Sequence, residues 1–242
     1  MEECISVFDM LKIGVGPSSS HTLGPWRAAE RFLGELRATH QFENVNYIKV
    51  NLYGSLSLTG KGHATDLAIM LGLSGQDPEY IPVQNIDKII AAIKDKHILK
   101  LGDEIEIPFF PEEDIIFNKN FLPFHANGLT FTASLLDTTE YSSTYYSIGG
   151  GFVVVEERVN AKKKLEIKCA FPFPIQNADE LLKYTLEQNK SISEIVYENE
   201  KSMRSEAEIH HELMRIWNTM LECMYIGCHS EGILPGGLNV RR

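Results

Sequence analysis

The sequence predicts an α+β architecture, with strands and helices drawn largely from separate stretches of chain. Two observations carry this. Residues Tyr47 to Tyr53 alternate Ile48, Val50 and Leu52 with Tyr47, Lys49 and Asn51, the two-residue period of a half-buried strand. Six further strand-like runs gather between 104 and 171, flanked by stretches whose apolar residues recur at threes and fours. With 242 residues, 43% hydrophobic and 23% charged, the chain can bury a sizeable core.

Taken in order, Ile5 to Leu11 carries apolar side chains at helical offsets and stops at Gly14-Val15-Gly16-Pro17. The loop Ser18-Ser19-Ser20-His21-Thr22 follows. Gly24-Pro25 then opens a helical run from Trp26 to Ala38 with Ala28, Phe32, Leu33 and Leu36 on one face. After the strand at 47–53, glycines punctuate the segment up to Gly62, and Ala64 to Leu71 reads as a helix, so His63 falls at a loop-to-helix junction. Ile86 to Lys100, with Ile89, Ile90 and Ile93, reads as an amphipathic helix with a solvated lysine side. The strand-like runs are Glu104 to Phe109, Asp114 to Phe117, Leu129 to Leu135, Tyr141 to Ser147, Phe152 to Arg158 and Leu165 to Phe171. Pro172 and Pro174 mark a boundary before the acid-rich helices Ala178 to Gln188 and Ile192 to Ser202. Glu206 to Tyr225 sets Ile209, Leu213, Ile216, Met220 and Met224 on one broad stripe. The chain closes on a Pro-Gly-Gly turn and Arg241-Arg242, an ending that suggests a further element beyond it.

Charge narrows the classes of partner. Thirty-three acidic against 23 basic residues give a net charge of −10, which repels nucleic acid and anionic membranes, so neither is expected as a partner. No run of about 18 apolar residues offers a membrane span. The acidic start MEECISVFDM has the wrong sign for a signal peptide, and a reducing cytoplasm is expected. Of Cys4, Cys169, Cys223 and Cys228, the last two are spaced C-x4-C without the second ligand pair that a zinc site needs, so no metal is expected on this chain's own residues.

Four segments carry candidate chemistry. The loop GVGPSSSHTLGP groups hydroxyls, an imidazole and free backbone N–H groups at a helix start, which suits a small anion such as a carboxylate; equally, Ser18 or Ser20 is a helix cap and the rest are turn residues. GSLSLTGKGHATD places His63 and Thr65 between a strand and a helix, where an imidazole transfers protons near neutral pH or merely caps. YYSIGGGF interrupts a strand with three glycines, the mark of a bulge or of backbone approaching a ligand. His125-Ala126-Asn127-Gly128 puts polar groups on a turn. A serine hydrolase lacks its G-x-S-x-G elbow here, and a dinucleotide fold lacks its third glycine and acidic residue.

Together SVFDMLKIGVGPSSSHTLGP, YGSLSLTGKGHATD, HANGLTF, YYSIGGGF and GILPGGLNVRR resemble the iron–sulfur-dependent L-serine dehydratases of bacteria, in the family's order from Ile5 to Arg242. The resemblance implies an α/β sandwich with a mixed or antiparallel sheet, similar to the allosteric substrate-binding domain of phosphoglycerate dehydrogenases, plus a C-terminal helical extension. It implies a β domain over 1–175, a helical linker over 176–205 and the start of an α domain over 206–242. It also implies conversion of L-serine to pyruvate and ammonia without pyridoxal phosphate, on a [4Fe-4S] cluster held by cysteines absent from this chain, which alone is then inactive. His63 matches the family's K-G-H-x-T-D string and is the candidate base. Ser18, Ser19, Ser20, His21, Thr22, Thr65, Asn127, Ser147, Gly149, Gly150 and Gly151 are the candidates for orienting substrate. The remaining α domain and a second copy in a homodimer are the expected partners. The alternative is a non-catalytic regulatory module that binds a small amino or hydroxy acid.

Overall fold

The computed structural model describes residues 4–16, 18–156, 171–233 and 241. They fall into two compact units, 14–16 with 18–156 in one, and 4–13, 171–233 and 241 in the other.

In the larger unit the alternation at 47–53 becomes β1 (Val45–Leu52), with Val45, Ile48, Val50 and Leu52 buried. It lies inside a five-stranded sheet of order β4-β1-β5-β6-β7, where β4 is Ile115–Phe117, β5 Gly128–Leu135, β6 Glu140–Gly149 and β7 Phe152–Val155. Among the described residues of this sheet only the β1–β4 pair is parallel; β5, β6 and β7 follow antiparallel, so the sheet is mixed. The expected run Phe152 to Arg158 is a strand to Val155, its last residues lying outside the described ones, as does 165–170 of the run Leu165 to Phe171.

Helix α2 (Gly24–Ala38) turns Trp26, Ala28, Ala29, Phe32, Leu33 and Leu36 into the core, where Phe32 stacks on Phe131 at 5.1 Å between ring centres. Tyr145 on β6 donates to Glu35 at 2.6 Å, which ties helix to sheet through a buried phenol. Beside α2 runs α4 (Thr65–Leu73), apolar on nearly every side and mostly buried. The two come close because Gly72 carries no side chain: a Cβ there would lie 2.8 Å from Ala29 Cβ and from the Trp26 carbonyl.

The helix expected over Ile86 to Lys100 is shorter. It runs Val83–Lys96 (α5), and His97, at φ 54°, ends it. Residues 98–100 instead belong to β2 (Ile98–Leu101), which pairs with β3 (Ile105–Pro108). Leu99 and Leu101 are both fully buried, and that two-residue burial outweighs helical spacing once a left-handed residue has broken the run.

The smaller unit is helical: α1 (Val7–Met10), α7 (Ala178–Gln188), α8 (Ile192–Lys201) and α9 (Glu206–His229). Each is started by a side-chain cap. Ser6, Ser191 and Ser205 form reciprocal capping boxes with Asp9, Glu194 and Glu208, and Asn177 caps α7. Glu200 is buried but fully satisfied, accepting from Ser6 Oγ at 2.9 Å, Val7 N at 2.7 Å and Arg204 Nη1 at 2.9 Å. Along α9 the apolar stripe is exposed at Leu213, Trp217, Met220 and Met224.

Candidate functional site

Ser18 is extended (φ −135°, ψ 135°), and its carbonyl accepts from both Thr22 N (3.0 Å) and Leu23 N (3.1 Å), while its hydroxyl accepts from His21 N at 3.3 Å. The serine loop is therefore a wide helical turn, Ser19–Leu23, which runs straight into α2. Gly24 is obligatory beneath it. A Cβ there would sit 1.9 Å from the hydroxyl of Ser147, which is fully buried and donates to the Ser20 carbonyl at 2.8 Å. Ser147 N in turn donates to the Asn127 carbonyl at 3.0 Å and Asn127 Nδ2 to the Ser147 carbonyl at 3.2 Å.

After β1 the chain turns at Gly54 (φ 53°), where a Cβ would lie 2.3 Å from the Ala126 carbonyl. There α3 (Gly54–Thr59) begins, followed by a 3₁₀ turn (Gly60–His63) and Ala64 at φ 55° before α4. The His63 ring folds back so that Nδ1 lies 2.9 Å from the Thr59 carbonyl. A carbonyl only accepts, so in the neutral ring Nδ1 carries the proton and Nε2 carries the lone pair.

The two histidines meet with ring centres 4.8 Å apart. Ser20 Oγ lies 3.0 Å from His21 Nδ1 and Ser55 Oγ 3.0 Å from His21 Nε2. Burial, and secondly the neighbouring His63, push the His21 pKa below the ordinary imidazole value, against a smaller opposing hydrogen-bond effect at Ser55. The buried hydroxyls of Thr22 and Thr65 donate to the carbonyls of His63 (2.9 Å) and His21 (2.6 Å).

Gly149, Gly150 and Gly151 take φ values of 99°, 59° and 77°, a left-handed run closed to side-chain-bearing residues without strain. It follows a register shift between β6 and β7, and Gly151 comes against Leu23, where a Cβ would lie 2.8 Å from Leu23 Cδ2. Ser18, Ser20, His21, Thr22, His63, Thr65, Asn127 and Ser147 thus share one hydrogen-bonded network, with Gly151 packed on its turn, while Ser19 is exposed. Sequence reasoning passed over Ser55 and Thr59. Their spacing of four from each other and from His63 was the available signal of one helical face.

Among the described residues no three His, Cys, Asp or Glu side chains gather as a metal site. Cys223 and Cys228 are exposed on α9, and five residues separate them by roughly 140° around the helix axis, so their thiols diverge. No helix among the described residues is long and apolar enough to cross a membrane.

The family model described as "Serine dehydratase beta chain" matches residues 6–158. Curated relatives include the L-serine dehydratase of Haemophilus influenzae, 42% identical over 98% of this chain and 52% of the relative's length. That of Streptomyces coelicolor is 43% identical over 98% and 53%, and L-serine dehydratase 1 of Escherichia coli 41% over 98% and 52%. The chain spans about half the length of the curated relatives it matches.

Proposed function

The chain belongs to the serine dehydratase beta chain family, and on that premise we propose that it provides the proton-abstracting and substrate-orienting part of an enzyme that converts L-serine to pyruvate and ammonia. The observation that carries this reading is His63, whose Nδ1–H is spent on the Thr59 carbonyl and whose Nε2 keeps its lone pair. His63 Nε2 takes the Cα proton of serine. The C–H electron pair becomes the Cα=Cβ bond as the Cβ–O bond breaks, and the leaving hydroxide takes up the proton that His63 removed and departs as water. The aminoacrylate tautomerises to the imine, and water hydrolyses that to pyruvate and ammonia.

Within this reading Ser18, Ser19, Ser20, Asn127 and the amides of Gly149 to Gly151 orient the carboxylate and ammonium, an entropic contribution of several kcal/mol when the geometry is tight. Thr22, Thr65 and Ser147, their hydroxyls committed to carbonyls, hold the backbone that does so. The described residues do not fit the [4Fe-4S] cluster that the resemblance implies, because no three ligands converge and the two α9 thiols diverge. We therefore assign its ligands to residues outside this chain, and no step above runs through it. The portion that the relatives carry beyond the matched half is the proposed partner, the cytoplasm the proposed compartment and a homodimer the proposed assembly.

The test is His63→Ala in the dehydratase that contains this chain. Turnover should fall roughly hundredfold or more, the usual contribution of a general base, and near-normal turnover rejects the assignment. Binding of L-serine by this chain alone at micromolar strength would favour the regulatory module instead.

A further inference from the structure

We propose that Ser55 is a positioning residue of this site, whose hydroxyl anchors the His21 ring and, through the ring contact, the His63 ring beside it. Its hydroxyl lies 3.0 Å from His21 Nε2. Its carbonyl accepts the Thr59 hydroxyl at 2.9 Å, and the Thr59 carbonyl faces His63 Nδ1 at 2.9 Å. The backbone of this segment thus holds His63, while the Ser55 hydroxyl alone reaches across the site to His21, so Ser55→Ala removes the hold on His21 and leaves the Thr59 carbonyl in place.

The other contact to the His21 ring explains why Ser55 matters. Ser20 is the neighbouring residue on the same turn, so its hydroxyl at Nδ1 moves with His21 and fixes the ring to nothing beyond that turn. Ser55 is 34 positions away, and its own backbone is pinned: Ser55 N donates to the Ala126 carbonyl at 2.8 Å and Gly54 N to the Asn120 carbonyl at 2.8 Å. The Gly54 backbone leaves no room to slide, since even a Cβ would collide with Ala126 O. Ser55 thus ties the serine turn to the segment that carries Asn127. The two imidazoles, with centres 4.8 Å apart, keep that relation only while the His21 ring is held from outside its own turn.

The kinetic arm rests on the function proposed above; the spectroscopic arm does not. In this chain the Cε1–H resonances of His21 and His63, assigned with single His→Asn variants, should both move in Ser55→Ala, while those of His97 and His210 stay. Ser55→Thr, which keeps the hydroxyl, should restore them. In the dehydratase that contains this chain, Ser55→Ala should lower kcat at least tenfold with KM within twofold, and Ser55→Thr should recover most of it. Unmoved histidine resonances overturn the proposal whatever the activity. A higher KM at unchanged kcat also overturns it, by making Ser55 a substrate contact. If His63→Ala leaves turnover intact, the function above falls, and the resonances still decide whether Ser55 holds the rings.

Discussion

Thr22 and Thr65 are locked reciprocally, each hydroxyl donating to the carbonyl of the histidine beside the other: Thr22 to His63 at 2.9 Å and Thr65 to His21 at 2.6 Å. Both threonine side chains are buried, so each hydroxyl depends on this bond for its partner. The exchange fastens the turn before α2 to the start of α4, and with it the two imidazoles.

Thr65→Val keeps the shape of the side chain and removes the donor. Leaving the His21 carbonyl unpaired should cost about 1–3 kcal/mol of unfolding free energy in urea, whereas Thr65→Ser should cost less than half as much. Equal losses in the two variants would mean that the methyl packing matters and the hydrogen bond does not.

Two glycines separate backbone strain from collision. Gly149, at φ 99°, has nothing within 4 Å of a would-be Cβ, so Gly149→Ala should cost only the left-handed penalty, about 1–2 kcal/mol. Gly24→Ala drives its methyl to 1.9 Å from Ser147 Oγ and must break the bond to the Ser20 carbonyl, so it should destabilise more. Denaturant midpoints for the two variants, compared with unchanged m-values, decide the order.

Much of this arrangement is written in local pattern. The alternation at 47–53 and the apolar face of 26–38 announce β1 and α2 because burial on one face repeats at a fixed period, and the acid-rich stretches after Pro174 announce α7 and α8, whose acidic first turns follow Asn177 and Ser191 caps. The strings holding His21, His63, Asn127 and Gly149 stand out as turns rich in polar atoms and glycine, and they do meet. What pattern leaves dark is which hydroxyl faces which atom. Ser147 looks like a residue aimed at a ligand, yet it is spent on the Ser20 carbonyl; Ser55, between Gly54 and Leu56, looks like any turn serine, yet it reaches His21 across 34 residues. The strand at 98–101 was hidden because Ile89, Ile90, Ile93 and Leu101 fit helical spacing, which His97 breaks by turning left-handed. The pairing of Ser6 and Val7 with Glu200 has no local signature at all.

Two phenols report on packing at high pH. Burial first, then the hydrogen bond to Asp114, pushes Tyr47 up to about 12, and burial with Glu156 does the same to Tyr146. A phenol whose folded value is raised stabilises the fold fully below its unfolded value near 10, and that contribution is lost as pH rises toward 12. Unfolding free energy should therefore fall between pH 10 and 12, and fall less in Tyr146→Phe. Parallel curves for the two proteins would count against it.

His21 gives the opposite sign at low pH. Its folded value is depressed, by burial and then by His63, so the folded chain prefers the neutral ring while the unfolded chain binds a proton at about 6.5. Between the depressed folded value and about 6.5 the unfolded state holds more protons, so stability rises with pH across that window and is complete above it. Acidification from pH 7.5 to 5.5 should accordingly weaken the wild-type chain more than His21→Gln, which cannot charge. The difference between their urea curves therefore reports this ring together with its repulsion of His63. The same slope in both would show that His21 carries no burden of burial beside His63, and the close pairing of the two imidazoles would then have no energetic consequence.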